Sequence, residues 1–162
     1  FSTALRFGDR FARVSRVYDQ ASWSGTTWYD GVDPAKGEAT ASFAKDQNPI
    51  VVTNRGAITE RWALIFTNST TFNVVGQSVG VIGTGNTVTD CSPINPATGA
   101  PYFTLPALGW GGVGGWSAGN VLRFNTIGAQ FPVWVVRTVQ QGPESVPDDH
   151  FTLLIRGDVD TP

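Results

Sequence analysis

Phe131-Pro132-Val133-Trp134-Val135-Val136-Arg137-Thr138-Val139 decides the fold class. After Pro132 this stretch is almost wholly apolar and rich in β-branched and aromatic residues, the types that fit a pleated surface. It is too short for a typical helix and about the length of a buried strand. Three other segments repeat its design: Val121-Leu122-Arg123-Phe124, Phe151-Thr152-Leu153-Leu154-Ile155-Arg156 and Arg61-Trp62-Ala63-Leu64-Ile65-Phe66. The four together are expected to form the core. Each carries one arginine at or near an end, on the same side-chain parity as small or aliphatic neighbours. An unpaired buried charge is costly, so these arginines are expected to end strands and to pair with aspartates or carbonyls.

Working outward, Phe7, Phe11, Val14 and Tyr18 fall at helical spacing while Phe11, Arg13, Ser15 and Val17 alternate, and the turn at Gly8-Asp9 favours a strand from about Phe11 to Tyr18. Residues 21–37 read as a loop with unusual aromatic content, Trp23, Trp28 and Tyr29 lying among Gly25, Asp30-Gly31 and Asp33-Pro34. Short strands are expected over Ala39 to Ala44 and Ile50 to Thr53. Glu60 to Asn68 and Phe72 to Gly76, joined by a short link, form a hairpin. Ser78 to Ile82 extends the sheet until Gly83-Thr84-Gly85-Asn86 breaks it. Residues 90–118 are irregular, because Pro93, Pro96, Pro101 and Pro106 would each remove a ladder donor. Pro101 to Leu105 is an edge strand at most. Trp110 and Trp116 argue that this long segment is ordered and packed.

The 162 residues fit one domain spanning 1–162. Nineteen glycines and ten prolines, with glutamate only at 38, 60 and 144, point to many turns and few helices. The fold class that follows is all-β, a single-domain β-sandwich, with an open barrel as the second choice. No apolar stretch approaches the ~20 residues of a membrane helix, and no signal peptide is visible. The lack of methionine reads as a start inside a longer polypeptide, of which this would be the C-terminal module. Net charge is −2, with basic residues spread thinly, so a nucleic-acid surface has little support. Arg6, Arg10, Arg13 and Arg16 do crowd the start, where a solvated edge is the plainer reading. Cys91 stands alone, so no disulfide within the chain can form.

Candidate chemistry is sparse. Gly109 to Gly114 spells G-x-G-x-x-G, but no βαβ unit surrounds it. One histidine, His150, and one cysteine are too few for an ordinary zinc site, and no nucleophile motif accompanies them. Asp30 with Asp33, and Asp148 with Asp149, are pairs that could hold calcium, yet Asp is commonest as a turn residue. Arg156-Gly157-Asp158 is a tripeptide that recurs by chance. No cofactor is implied and no catalytic residue is assigned. The aromatics offer the best handle. Trp62 and Trp134 sit in apolar runs and belong to the core, whereas Trp110, Trp116, Trp23 and Trp28 sit in glycine-rich loops. Exposed rings there could stack on sugar faces or anchor a partner, while buried ones would plug the ends of a sandwich.

Asn54 to Phe66, Asn95 to Phe103, Gly119 to Thr126 and Ile155 to Asp160, taken together, resemble the C-terminal region of tail-associated structural proteins of tailed bacteriophages and Mu-like prophages. The likeness covers roughly residues 50–162 and brings no catalytic signature with it. It implies a non-enzymatic structural or binding module of the virion tail, possible in homo-oligomeric form. The partners implied are other virion tail proteins, the rest of its own polypeptide or a host surface glycan, with no nucleic acid and no membrane insertion. One rival is a carbohydrate-binding module built on Trp110 and Trp116 with Trp23 or Trp28 beside them, whose mark would be exposed and roughly coplanar rings. The other is a glycan-cleaving enzyme, which needs two facing carboxylates with one raised pKa.

Overall fold

A computed structural model describes residues 2–5, 11–23, 28–112, 114–130 and 133–136, the first and last of these as backbone. The fold is all-β and sandwich-like. Five antiparallel strands form the main sheet in the order β2 (Arg13–Gln20), β6 (Val121–Ile127), β3 (Glu60–Phe66), β4 (Thr71–Gly76) and β5 (Gly80–Asn86). The sheet does not close into a barrel, which removes the second choice. A separate two-stranded sheet pairs β1 (Ser2–Leu5) with β7 (Val133–Val136). The only regular helix among the described residues is a 3-10 turn over Ala107–Gly111.

The centre of the main sheet is therefore β6 and β3, not the 131–139 stretch. That apolar run does form a strand at Val133–Val136, but it pairs with the opposite end of the chain. Continuous apolar character marks a strand and leaves its partner unspecified. The Phe151–Arg156 strand lies outside the described residues, as does Arg137.

Alternation sorts the two faces of the sheet. Trp62, Leu64 and Phe66 of β3, Phe72 and Val74 of β4, and Leu122 and Phe124 of β6 point to one side, each at most 2% exposed. What covers them is not a second ladder but three irregular segments. Phe43 and Ile50 come from the first, Cys91, Tyr102, Phe103 and Leu105 from the second, and Trp110 and Trp116 from the third. The rings interlock edge to face, Trp62 against Phe103 at 5.0 Å and Phe103 against Phe124 at 4.9 Å, while Trp116 stacks flat on Phe66 at 4.6 Å. Trp62 also keeps its polar edge satisfied, its Nε1 donating to Thr126 Oγ1 at 2.8 Å.

This covering layer is tied by single bridges at Val51 with Thr104, Cys91 with Leu105 and Ile94 with Pro101. Its prolines lack the donors that a longer ladder would need. The strands expected at Ile50 to Thr53 and Pro101 to Leu105 thus reduce to isolated bridges, and the one expected at Ala39 to Ala44 to alternating burial without a ladder. Ala41 and Phe43 are buried, and Ser42 between them is not. The break expected at Gly83-Thr84-Gly85-Asn86 is instead the second half of β5. A Cβ at Gly85 would lie 2.4 Å from the Phe72 ring, so glycine here admits a large neighbour rather than ending the strand.

Asn95 is 5% exposed and joins two of the covering segments, donating from Nδ2 to Gly56 O at 3.0 Å and accepting from Ala97 N at 3.0 Å. A Cβ on Gly56 would lie 1.8 Å from Pro101 O, a contact with backbone that cannot swing away. Gly56→Ala should therefore lower stability by about 1–3 kcal/mol, the usual cost of overpacking. Gly115→Ala, with nothing within 4 Å of the added carbon, should stay within about 0.5 kcal/mol of wild type in the same urea titration.

Candidate functional site

The other face of the sheet is polar and is built around a cation. Arg123 sits in the middle of β6, 1% exposed, where alternation turns it away from the apolar core. Burying a guanidinium is tolerable only if its donors are used. Nη1 donates to Gln20 Oε1 at 3.0 Å and to Gly31 O at 3.1 Å, and Nη2 donates to Tyr29 O. The rings of Tyr18 and Trp23 flank it, with centroids at 5.2 and 5.6 Å, within cation–π range. Desolvation pulls its pKa below the usual guanidinium value, and the nearby Tyr18, Asp33 and Asp30 act against that pull. The expectation of partnered arginines holds for Arg123 through carbonyls, but it stands inside its strand rather than ending it, and its Nε has no partner.

Two more arginines hold the same loop. Arg61 of β3 grips Asp30 through Nε at 2.7 Å and Nη2 at 3.2 Å, and its Nη1 donates to Gln77 Oε1 at 2.9 Å. Asn125 of β6 donates to Asp30 Oδ1 at 3.1 Å. Arg16 donates from Nη1 to Asp30 O at 2.8 Å. It does so from a bulge in β2, between Ser15 and Val17, with φ at +58°, the only positive value among the described non-glycine residues. A bulge of this kind re-aims a side chain at the cost of local strain. Residues 29–31 are thus latched to the sheet by three arginines.

Beside the latch opens a groove of about 470 Å³, lined by Arg16, Asp30, Arg61, Gln77, Ser78 and Asn125 among others. Glu60 also lines it, but its oxygens are filled by Arg61 N, Ser78 N and Val79 N, which closes the turn between β4 and β5. The hydrogen bonds from Arg61 and Asn125 hold the Asp30 carboxyl down at about 2. A second groove, about 700 Å³, is lined by Asp19, Lys45, Asp46, Asn48 and Leu108. Burial pushes the Asp19 carboxyl up, against the hydrogen bond it accepts from Phe43 N. Cys91 is buried, and burial pushes its thiol up to about 11, which keeps the reactive thiolate scarce at neutral pH.

The tryptophans do not form the platform considered above. Trp110 and Trp116 are 7% and 6% exposed, cross at 87°, and pack on Phe66; they are core. Glycine-rich flanks suggested exposure, yet those glycines let the chain fold tightly over the sheet. A Cβ at Gly109 would lie 2.1 Å from the Phe43 ring. Trp23 and Trp28 are half-buried and meet at 69°, so they too present no flat surface. Asp33 caps its own turn, accepting from Ala35 N at 2.9 Å, while Asp30 faces Arg61. His150, Asp148, Asp149 and Arg156 to Asp158 lie outside the described residues. No family model, curated protein or solved structure matches the chain.

The third feature is an edge. The outer side of β5 faces no strand among the described residues, and the strand holds no charge and no proline. Val81 and Val88 are 71% and 76% exposed beside it. The opposite edge, β2, is blunted by its bulge and by the 37–39 segment, which bonds to Asp19 O and Ala21 N.

Two outcomes test the latch. Arg123→Met keeps the bulk but strands the acceptors at Tyr29, Gly31 and Gln20, and should cost on the order of 3 kcal/mol in urea unfolding. Asp30 has a folded pKa below its ordinary value, so its contribution is complete above about pH 4 and fades as pH falls through about 2. An NMR titration should place the Asp30 carboxyl midpoint near 2, and Arg61→Gln should return it toward the ordinary aspartate range.

Proposed function

We propose that this chain is a non-enzymatic structural and binding module of a phage tail or tail-tip assembly, located in the virion and contributing to contact with the host surface. The observation that carries the reading is the β5 edge, which no strand among the described residues pairs. An uncharged, proline-free strand at the side of a sheet is a template for pairing with another chain, and proteins that remain alone usually blunt such edges. Among the described residues only the β2 edge is blunted. The natural occupant is a strand from a neighbouring tail polypeptide, which continues the sheet and buries Val81. The quoted likeness of residues 54–66, 95–103 and 119–126 to tail-associated proteins points the same way.

The acids around the arginine latch support a role without chemistry at that groove. Glu60 and Asp33 are spent on backbone donors and Asp30 on Arg61. The rival sugar platform on Trp110 and Trp116 loses its support, since both rings are core.

Particles induced from the cells that encode this chain provide the test. Antibody raised against the domain should place gold at the tail by electron microscopy, and a Val81→Lys, Thr84→Lys chain should be incorporated at least several-fold less well while folding normally. Purified particles that lack the chain would overturn the reading.

A further inference from the structure

We propose that the groove beside the arginine latch is a binding site for an uncharged oligosaccharide, which rests on the reading of the chain as a virion module that meets the host surface. At about 470 Å³ the groove is of the size that small ligands fill. Its fixed charges cancel in pairs, Arg16 and Arg61 against Asp30 and Glu60, which disfavours phosphate or an acidic sugar. Most of those charges are already spent. Arg61 is engaged by Asp30 and Gln77, and Glu60 by backbone donors. What is left over is a set of flat polar edges. Gln77 accepts through Oε1 and keeps its amide donors, Asn125 uses Nδ2 on Asp30 alone, and Arg16 spends Nη1 on Asp30 O. The carboxylate of Asp30, its oxygens taken by Arg61 and Asn125, fixes these groups in place.

A sugar hydroxyl donates and accepts at once, so alternating donors and acceptors on rigid planar groups suit it better than they suit an ion. These groups are also pre-positioned. Asp30 is held from two strands, and Arg16 lines the groove from the left-handed bulge position, its Nη1 on Asp30 O. Strain of that kind, kept where a side chain lines a groove, clusters at functional sites.

The test is a titration of the isotopically labelled full chain with neutral hexose and N-acetylhexosamine oligomers, with glucuronate oligomers and inorganic phosphate as anionic probes. Saturable shifts at the side chains of Gln77, Asn125 and Arg16 with a neutral oligomer are the expected result. Arg16→Gly removes the guanidinium while giving the +58° position the residue that prefers it. It should bind about tenfold more weakly, the loss of one charge-assisted hydrogen bond, while still unfolding in a single cooperative transition. Absence of saturation by every neutral oligomer at millimolar concentration, tighter binding of the anionic probes, or unchanged affinity in Arg16→Gly would each overturn the proposal. These results are separable from the tail assignment: particles without the chain leave sugar binding intact, and a silent groove leaves the gold labelling unaltered.

Discussion

A guanidinium buried in the middle of a sheet sets the terms for everything on that side of the molecule. Arg123 cannot remain desolvated with its terminal amino groups idle, so a stretch of chain lies across β6 with its carbonyls turned inward. Residues 29–31 meet that demand, and Gln20 supplies a further acceptor while its own Nε2 donates to Ser22 O. Once the loop is there, Asp30 falls within reach of Arg61 and Asn125, and the groove acquires its polar wall. The two faces of one sheet are therefore covered by different physics. On one side rings and aliphatic groups exclude water; on the other, directional hydrogen bonds hold a loop that has little apolar surface to bury.

That division also explains why the molecule needs so little regular structure outside its strands. The covering layer over the core has only to bring Phe43, Phe103, Leu105, Trp110 and Trp116 to the sheet, and burial rewards it for doing so whatever its backbone geometry. Its backbone groups are met by isolated bridges between segments instead, as when Val51 and Thr104 exchange bonds of 2.9 and 2.8 Å.

Much of the sheet was legible from pattern alone. The alternation in Arg61 to Phe66 and the short link to Phe72 gave the hairpin, and the all-β class followed from turns and composition. Partner choice was not legible. The 131–139 run has no polar face to say which strand it lies against, and it is found beside Ser2–Leu5. The site was less legible still. Arg123 and Arg61 stood out as charges inside apolar strands, a sound signal, yet Asp30 read as a turn residue and Gln77 carried no mark. Their meeting depends on contacts of 31 and 16 residues' separation from Arg61, which no local window contains. Composition misled at Trp110 and Trp116, because glycine permits close packing as readily as it permits exposure.

The strand order carries a consequence for how the chain reaches this state. β3, β4 and β5 follow one another in sequence and can zip together through short turns, whereas β6 must insert between β2 and β3, and its Arg123 closes on Gln20 across 103 residues. Long-range closures of this kind are slow, since the entropy of the loop is lost before contacts compensate. During synthesis the three-strand meander thus emerges with β3 unpaired on its inner side, and it stays that way until residue 127 has left the ribosome. Among the described residues the finished sheet leaves one edge without a partner strand; the growing one has two, and the second is covered only when β6 pairs with β3.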